Sequence, residues 1–332
     1  MLSRLRPRMH MRVRTFAQSV SAELVKQLRQ RTGAPINKCK QALEAEKGDL
    51  DAAATWLRKS GIATAQKKAS RGANEGVVGA LATPSLDRVA LIELNSETDF
   101  VARNEVFQHL SRTVAAAALE LPSSGAGALV ELHVPELLAA HVDYDGRRQT
   151  VEEAIISGVA SLGENLMLRR ACVVRASDGV VGYYVHNSYV HNFGRTAAAV
   201  ALEAPGALGT AREAIAELGQ KLAMHAVAAA PQYLSRASVP AVKIAEESDV
   251  IRAQLATSKK GADVIDKIMA GKLGKFYEEA CLLDQTYVLE DVGKVSTLVA
   301  TRAKELETEI VVTGFARYHL GGTVQDSPPD GR

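Results

Sequence analysis

Cysteine is scarce in this chain of 332 residues: Cys39, Cys172 and Cys281 stand far apart and are odd in number. Such a set excludes a disulfide framework and a paired-cysteine metal site, so the three read as small buried hydrophobes. Long apolar runs are also missing. The Ala-rich stretch after Thr113 is broken by Glu120 and Pro122, short of the roughly 20 residues that a membrane-spanning helix requires, and no membrane partner is expected. No GxxxxGK[ST] phosphate loop occurs, because Gly271-Lys272 and Gly293-Lys294 lack both the upstream glycine and the following hydroxyl. HExxH and GxSxG signatures are absent as well. His186 and His191, in an expected hairpin loop, read as surface residues. No catalytic residue, cofactor or metal site is expected, and the chain does not read as an enzyme with its own covalent chemistry.

No acidic residue precedes Glu23, whereas Arg4, Arg6, Arg8, Arg12 and Arg14 do. That composition suits a mitochondrial transit peptide. Arg14-Thr15-Phe16 before Ala17 places the expected cut after residue 16, and the expected location is the mitochondrial matrix. A basic tail for nucleic acid is the alternative. Without those five arginines the formal net charge moves from +2 to −3, which leaves no basic field for direct nucleic-acid binding.

The 47% hydrophobic content can fill more than one compact core, and the pattern predicts an α+β protein. Residues 17–62 read as a three-helix module, resembling the ubiquitin-associated fold. Leu24, Val25 and Leu28 line its first helix, Cys39, Ala42 and Leu43 its second, and Ala52, Ala53, Trp56 and Leu57 its third. Gly33 is placed as a C-cap and Pro35 at the next helix start, and Ser60-Gly61 as the end of the third helix. Residues 63–75 read as a polar, basic linker. Gly76-Val77-Val78-Gly79 recurs as Gly179-Val180-Val181-Gly182, 103 positions later. A strand and a helix follow each copy, at 88–94 and 105–121 and then at 195–203 and 208–230. The expected core is therefore a duplication of two small antiparallel sheets with helices, an N-subdomain over 76–177 and a C-subdomain over 178–236. The connecting stretch Val130 to Leu162 reads as helical, followed by a strand over 164–176. Residues 237–282 read as an antiparallel helical hairpin turning at Thr257-Ser258-Lys259-Lys260. Residues 283–320 complete the core with a strand over 310–318, and 321–332 form a disordered tail.

Several of these segments together resemble one family. Leu24-Val25-Lys26-Gln27-Leu28-Arg29, Thr32-Gly33-Ala34, Cys39-Lys40-Gln41-Ala42-Leu43 and Leu57-Arg58-Lys59-Ser60-Gly61 carry the N-terminal match. Thr98-Asp99-Phe100-Val101, Gly163-Glu164-Asn165, Ala223-Met224-His225-Ala226 and Val312-Thr313-Gly314-Phe315 carry the rest. From Ser21 to about Leu320 the chain is similar to the elongation factor Ts family, the guanine-nucleotide exchange factors of elongation factor Tu. The resemblance implies that the partner, in its GDP-bound and nucleotide-free states, is mitochondrial elongation factor Tu. It implies a Mg²⁺-dislocating wedge formed by Thr98, Asp99, Phe100 and Val101. It assigns Lys40, Phe193, Gly194, His225, Val288 and Leu289 to partner contacts. Read from the residues alone, Asp99 could instead cap the helix starting near Asn104 while Phe100 fills the core, and His225 could be a satisfied structural histidine. The tip Pro35-Ile36-Asn37-Lys38 and the longer hairpin Asn187 to Asn192 depart from the family pattern. A ubiquitin adaptor and a small-molecule enzyme are the rival classes. The presequence and the TDFV match oppose the first, and the lack of any acid, base or nucleophile constellation opposes the second.

Overall fold

A computed structural model describes residues 20–122, 127–206, 209, 211–255 and 262–322. The expected transit peptide, the 257–260 turn and the tail beyond 322 lie outside the described residues. The chain divides into two compact units after Ala63.

The first unit is built on α1 (Ala22–Thr32), α2 (Ile36–Ala45) and the start of α3 (Leu50–Lys68). Ser21 opens α1 by accepting the Leu24 N–H, and Gly33 closes it at φ 65°, a left-handed conformation that costs glycine no Cβ clash. Asp49 accepts the N–H groups of Asp51 and Ala52, both at 2.9 Å, and so caps α3. Leu28, Cys39, Ala42, Leu43 and Ala53 form the core, with Leu24, Trp56 and Leu57 packed against it. One expected boundary is overturned. Ser60-Gly61 does not end α3, which continues to Lys68, so the stretch read as a linker from residue 63 is helical over its first part. A single helical glycine costs only about 1 kcal/mol relative to alanine, too little to stop a helix between two helix-forming flanks.

The second unit is a four-layer stack. A five-stranded sheet runs in the order β3-β6-β2-β1-β8, and a three-stranded sheet in the order β10-β9-β7. The first contains β1 (Glu75–Ala82), β2 (Arg88–Ser96), β3 (Leu129–Glu131), β6 (Leu166–Arg175) and β8 (Phe193–Gly194). The second contains β7 (Gly179–His186), β9 (Thr196–Glu203) and β10 (Val311–His319). The sheets pack face to face through Val78, Leu91, Cys172 and Val174 of one and Val181, Ala197, Ala199 and Ala201 of the other. Alternate residues of the same strands point outward. Ile92 and Leu94 meet α4 (Glu105–Glu120) and α6 (Val151–Leu162), while Val200 and Leu202 meet α7 (Arg212–Ala229) and α10 (Val295–Glu305). Both faces of β9 are thus buried, which explains its unbroken Ala-Val-Leu composition.

Both copies of the repeated tetrapeptide lie at the start of a strand; β1 pairs antiparallel with β2, β7 pairs antiparallel with β9 while the short β8 between them joins the other sheet, and a helix follows each pair. Between them, the expectation that 130–162 is helical holds only in part. This stretch contains the end of β3, then α5 (Val134–Ala139), a hairpin of β4 (His141–Tyr144) and β5 (Arg147–Thr150), and α6. Asp145-Gly146, with φ of 50° and 72°, makes the two-residue turn whose twist suits a hairpin, and Val142 and Tyr144 alternate into the core. Residues 283–320, expected to complete the core with a strand, also contain the helix α10. α8 (Ala241–Leu255) and α9 (Ala262–Ala280) run antiparallel. Ile244 near the start of α8 packs with Phe276 and Tyr277 near the end of α9, and Gln254 at the far end of α8 accepts from Lys272. Among the described residues no helix is long and apolar enough to cross a membrane, and no group of three His, Cys, Asp or Glu could hold a metal ion.

Candidate functional site

β2 carries the chain to Ser96, and the next four residues turn outward before a single 3-10 turn at Val101–Arg103. Pairing of Ser96 with Leu166 at the start of β6 sets this loop beside Glu164 and Asn165. The Glu164 carboxylate accepts from both the Thr98 N–H, at 2.9 Å, and the Thr98 hydroxyl, at 2.6 Å. In the reverse direction, Glu97 accepts the Asn165 N–H at 2.7 Å and pairs with Arg71 at 3.4 Å. The Asn165 amide first, and then Arg71, hold the Glu97 carboxyl below its ordinary value. The Asn165 side chain donates to the Arg71 carbonyl at 2.8 Å, and the Ser96 hydroxyl to that of Thr98 at 2.8 Å.

What this clasp presents is Phe100, 79% exposed, beside an exposed Asp99. Among the described residues the Asp99 carboxylate has no hydrogen-bond or ion-pair partner. The alternative of a core Phe100 and a capping Asp99 is excluded: the α4 cap is Asn104, whose side chain accepts the Val106 N–H. Val101 points inward instead, into the core beneath. A large apolar ring held in water on a loop with its backbone pinned would lose little ordering entropy on burial against another surface.

The other expected contact residues divide by exposure. Lys40 is exposed on α2, 3.9 Å from Glu44. Val288 and Leu289 are 52% and 41% exposed. Phe193 and Gly194 are buried: they form β8, pairing with Gly79 and Val78 of β1, and so stitch the second copy to the first sheet. His225 is completely buried. Its Nε2 lies 3.0 Å from Gln285 Oε1, its Nδ1 accepts the Val288 N–H at 3.3 Å, and its ring tilts against Tyr287 at 5.6 Å. Burial depresses its pKa against the opposing pull of the Gln285 hydrogen bond. As the fold stands, neither Phe193 nor His225 offers its side chain to a partner, and the reading of His225 as a satisfied structural histidine describes its surroundings. Glu97, Glu164 and Gln285 are the residues that sequence reasoning did not single out. Glu164 and Asn165 lay within a matched segment, but nothing in that tripeptide shows which loop it would hold.

The sequence model of the family described as "Elongation factor TS" matches residues 97–322. The elongation factors Ts of Rhodospirillum centenum and Magnetococcus marinus are each 38% identical to this chain, over 94% of it and 96% of their own lengths. That of Paramagnetospirillum magneticum is 39% identical over 94% of both. An α+β chain with two stacked antiparallel sheets and a flanking helical module fits that likeness, and the chain belongs to the elongation factor Ts family.

Proposed function

We propose that this protein is a guanine-nucleotide exchange factor of translation elongation that acts on elongation factor Tu in the mitochondrial matrix. Membership of the family supports the activity, and the arginine-rich, acid-free N-terminus supports the location. The observation that carries the mechanism is the clasped loop with its outward Phe100. On this reading the ring inserts into the partner's GTPase domain. Asp99 disturbs the outer contacts that orient water around the bound Mg²⁺, the diphosphate loses charge neutralisation, and GDP leaves. Lys40, the Phe193-Gly194 region, His225 and the Val288-Leu289 pair supply the remaining contacts, directly or through the residues they position. No covalent step is involved. The factor needs only to bind nucleotide-free partner better than GDP-bound partner, and each roughly 1.4 kcal/mol of that preference weakens GDP binding tenfold.

The test is release of fluorescent GDP from mitochondrial elongation factor Tu. The native chain should accelerate it strongly. Asp99→Ala/Phe100→Ala should lose at least about 2 kcal/mol of that effect, the value of burying one phenylalanine, or some thirtyfold in rate. No acceleration by the native chain would reject the exchange reading, and equal acceleration by both would reject the wedge.

A further inference from the structure

Gln285 is buried between three elements, and every polar atom of its side chain is engaged. Its amide nitrogen donates to the Ala229 carbonyl at 3.2 Å and to the Glu279 carbonyl at 2.8 Å. These are among the last carbonyls of α7 and α9, which lack partners within their own helices. Two carbonyls facing the nitrogen leave one orientation for the amide, with Oε1 toward His225. An oxygen there requires the hydrogen of the neutral imidazole to sit on Nε2, so Nδ1 carries the lone pair. That lone pair is where the Val288 N–H arrives. The chain then leaves the interior, and the next two side chains it presents, Val288 and Leu289, are exposed.

We infer that Gln285 is a positioning residue: it sets the tautomer of His225 and thereby anchors the backbone that displays Val288 and Leu289 to elongation factor Tu. The inference rests on the proposed contact of that apolar pair with the partner. It replaces a direct contact by His225, whose ring is enclosed, with an indirect one. The amide of Gln285 ties the ends of α7 and α9 to the same loop, so the two helices and the displayed pair hold one geometry.

The experiment uses the full chain in the GDP-release assay, reading the factor concentration for half-maximal acceleration separately from the maximal rate. Asparagine reproduces the position of Nδ1 and glutamine that of Nε2. His225→Asn therefore keeps an acceptor for Val288, whereas His225→Gln keeps only the bond to Gln285. His225→Gln and Gln285→Leu are expected to raise the half-saturating concentration roughly fivefold, the worth of one hydrogen bond, with the maximal rate unchanged. His225→Asn should stay within about twofold of the native chain. Equal losses in His225→Asn and His225→Gln would overturn the inference. Val288→Ala/Leu289→Ala separates the two levels. An unchanged half-saturation there removes the contact and the inference with it, while exchange by the native chain still stands. A loss there without one in His225→Gln overturns the positioning role alone.

Discussion

The same four residues, Gly-Val-Val-Gly, start a strand in each half of the core, yet their last glycines serve different neighbours. In the second copy a Cβ on Gly182 would lie 2.0 Å from the backbone of Gly219, so α7 rests directly on β7 through two facing glycines. In the first copy a Cβ on Gly79 would meet the ring of Phe193 at 2.3 Å. There the space over the strand is filled by an aromatic side chain from β8, a piece of the second copy. A strand with a missing side chain makes a hollow, and the hollow is filled by whatever the rest of the chain brings. One tetrapeptide thus secures a helix in one place and an interlock between the two halves in the other.

The sharpest way to break this comparison is at the two glycines. Gly182→Ala sets a methyl against rigid helix backbone and is expected to cost about 3 kcal/mol, the upper end for overpacking, read as a lower midpoint in urea unfolding. Gly79→Ala meets a ring that can shift and should cost about 2 kcal/mol. Because Gly79 and Phe193 share one space, Gly79→Ala combined with Phe193→Leu should cost less than the sum of the two single variants. Additive costs would show that the ring is not what fills the hollow.

The two halves also differ in how they hold functional groups, the first by a charged clasp and the second by a buried neutral one. Glu164→Gln keeps the shape of the clasp but removes its charge. It is expected to weaken the hold on Thr98 by about 1 kcal/mol, raising the half-saturating concentration for GDP release about fivefold and lowering the unfolding free energy by no more than that same amount. The smallest effect concerns His225. Its pKa lies below the ordinary 6.5 in the folded state, so as pH falls past that value the unfolded chain takes up the proton first. Stability is complete above about pH 6.5, declines below it, and levels off once the folded histidine is protonated too. The melting temperature of His225→Asn should lose that part of the acid slope.

Much of the fold was legible. Gly33 as a helix stop, Leu28, Cys39 and Leu43 as one apolar face, and the repeated Gly-Val-Val-Gly before strand and helix all rest on local periodicity and backbone preference. The Asp145-Gly146 hairpin is equally local, but its strands are only four residues each and sit between two helices, so the helical pattern around them dominates. α3 runs through Gly61, where a lone glycine is too weak a stop signal to mark its end. The candidate site was legible only as a list of residues. The likeness of Thr98 to Val101 to a known motif marked where to look, but exposure of Phe100 and enclosure of Phe193 and His225 are properties of the assembled sheets.

By itself the sequence determined most of the helices and strands, though not the β4–β5 hairpin or α10, together with the repeated pattern of the core and the family to which the chain belongs, because each depends on residue spacing along a single stretch. Only the tertiary structure decided that Glu164 holds Thr98 from 66 residues away, that Gln285 orients His225 from 60, and that Phe193 fills the space over Gly79. Those relations join residues through packing of separate elements, where distance along the chain carries no information about distance in space.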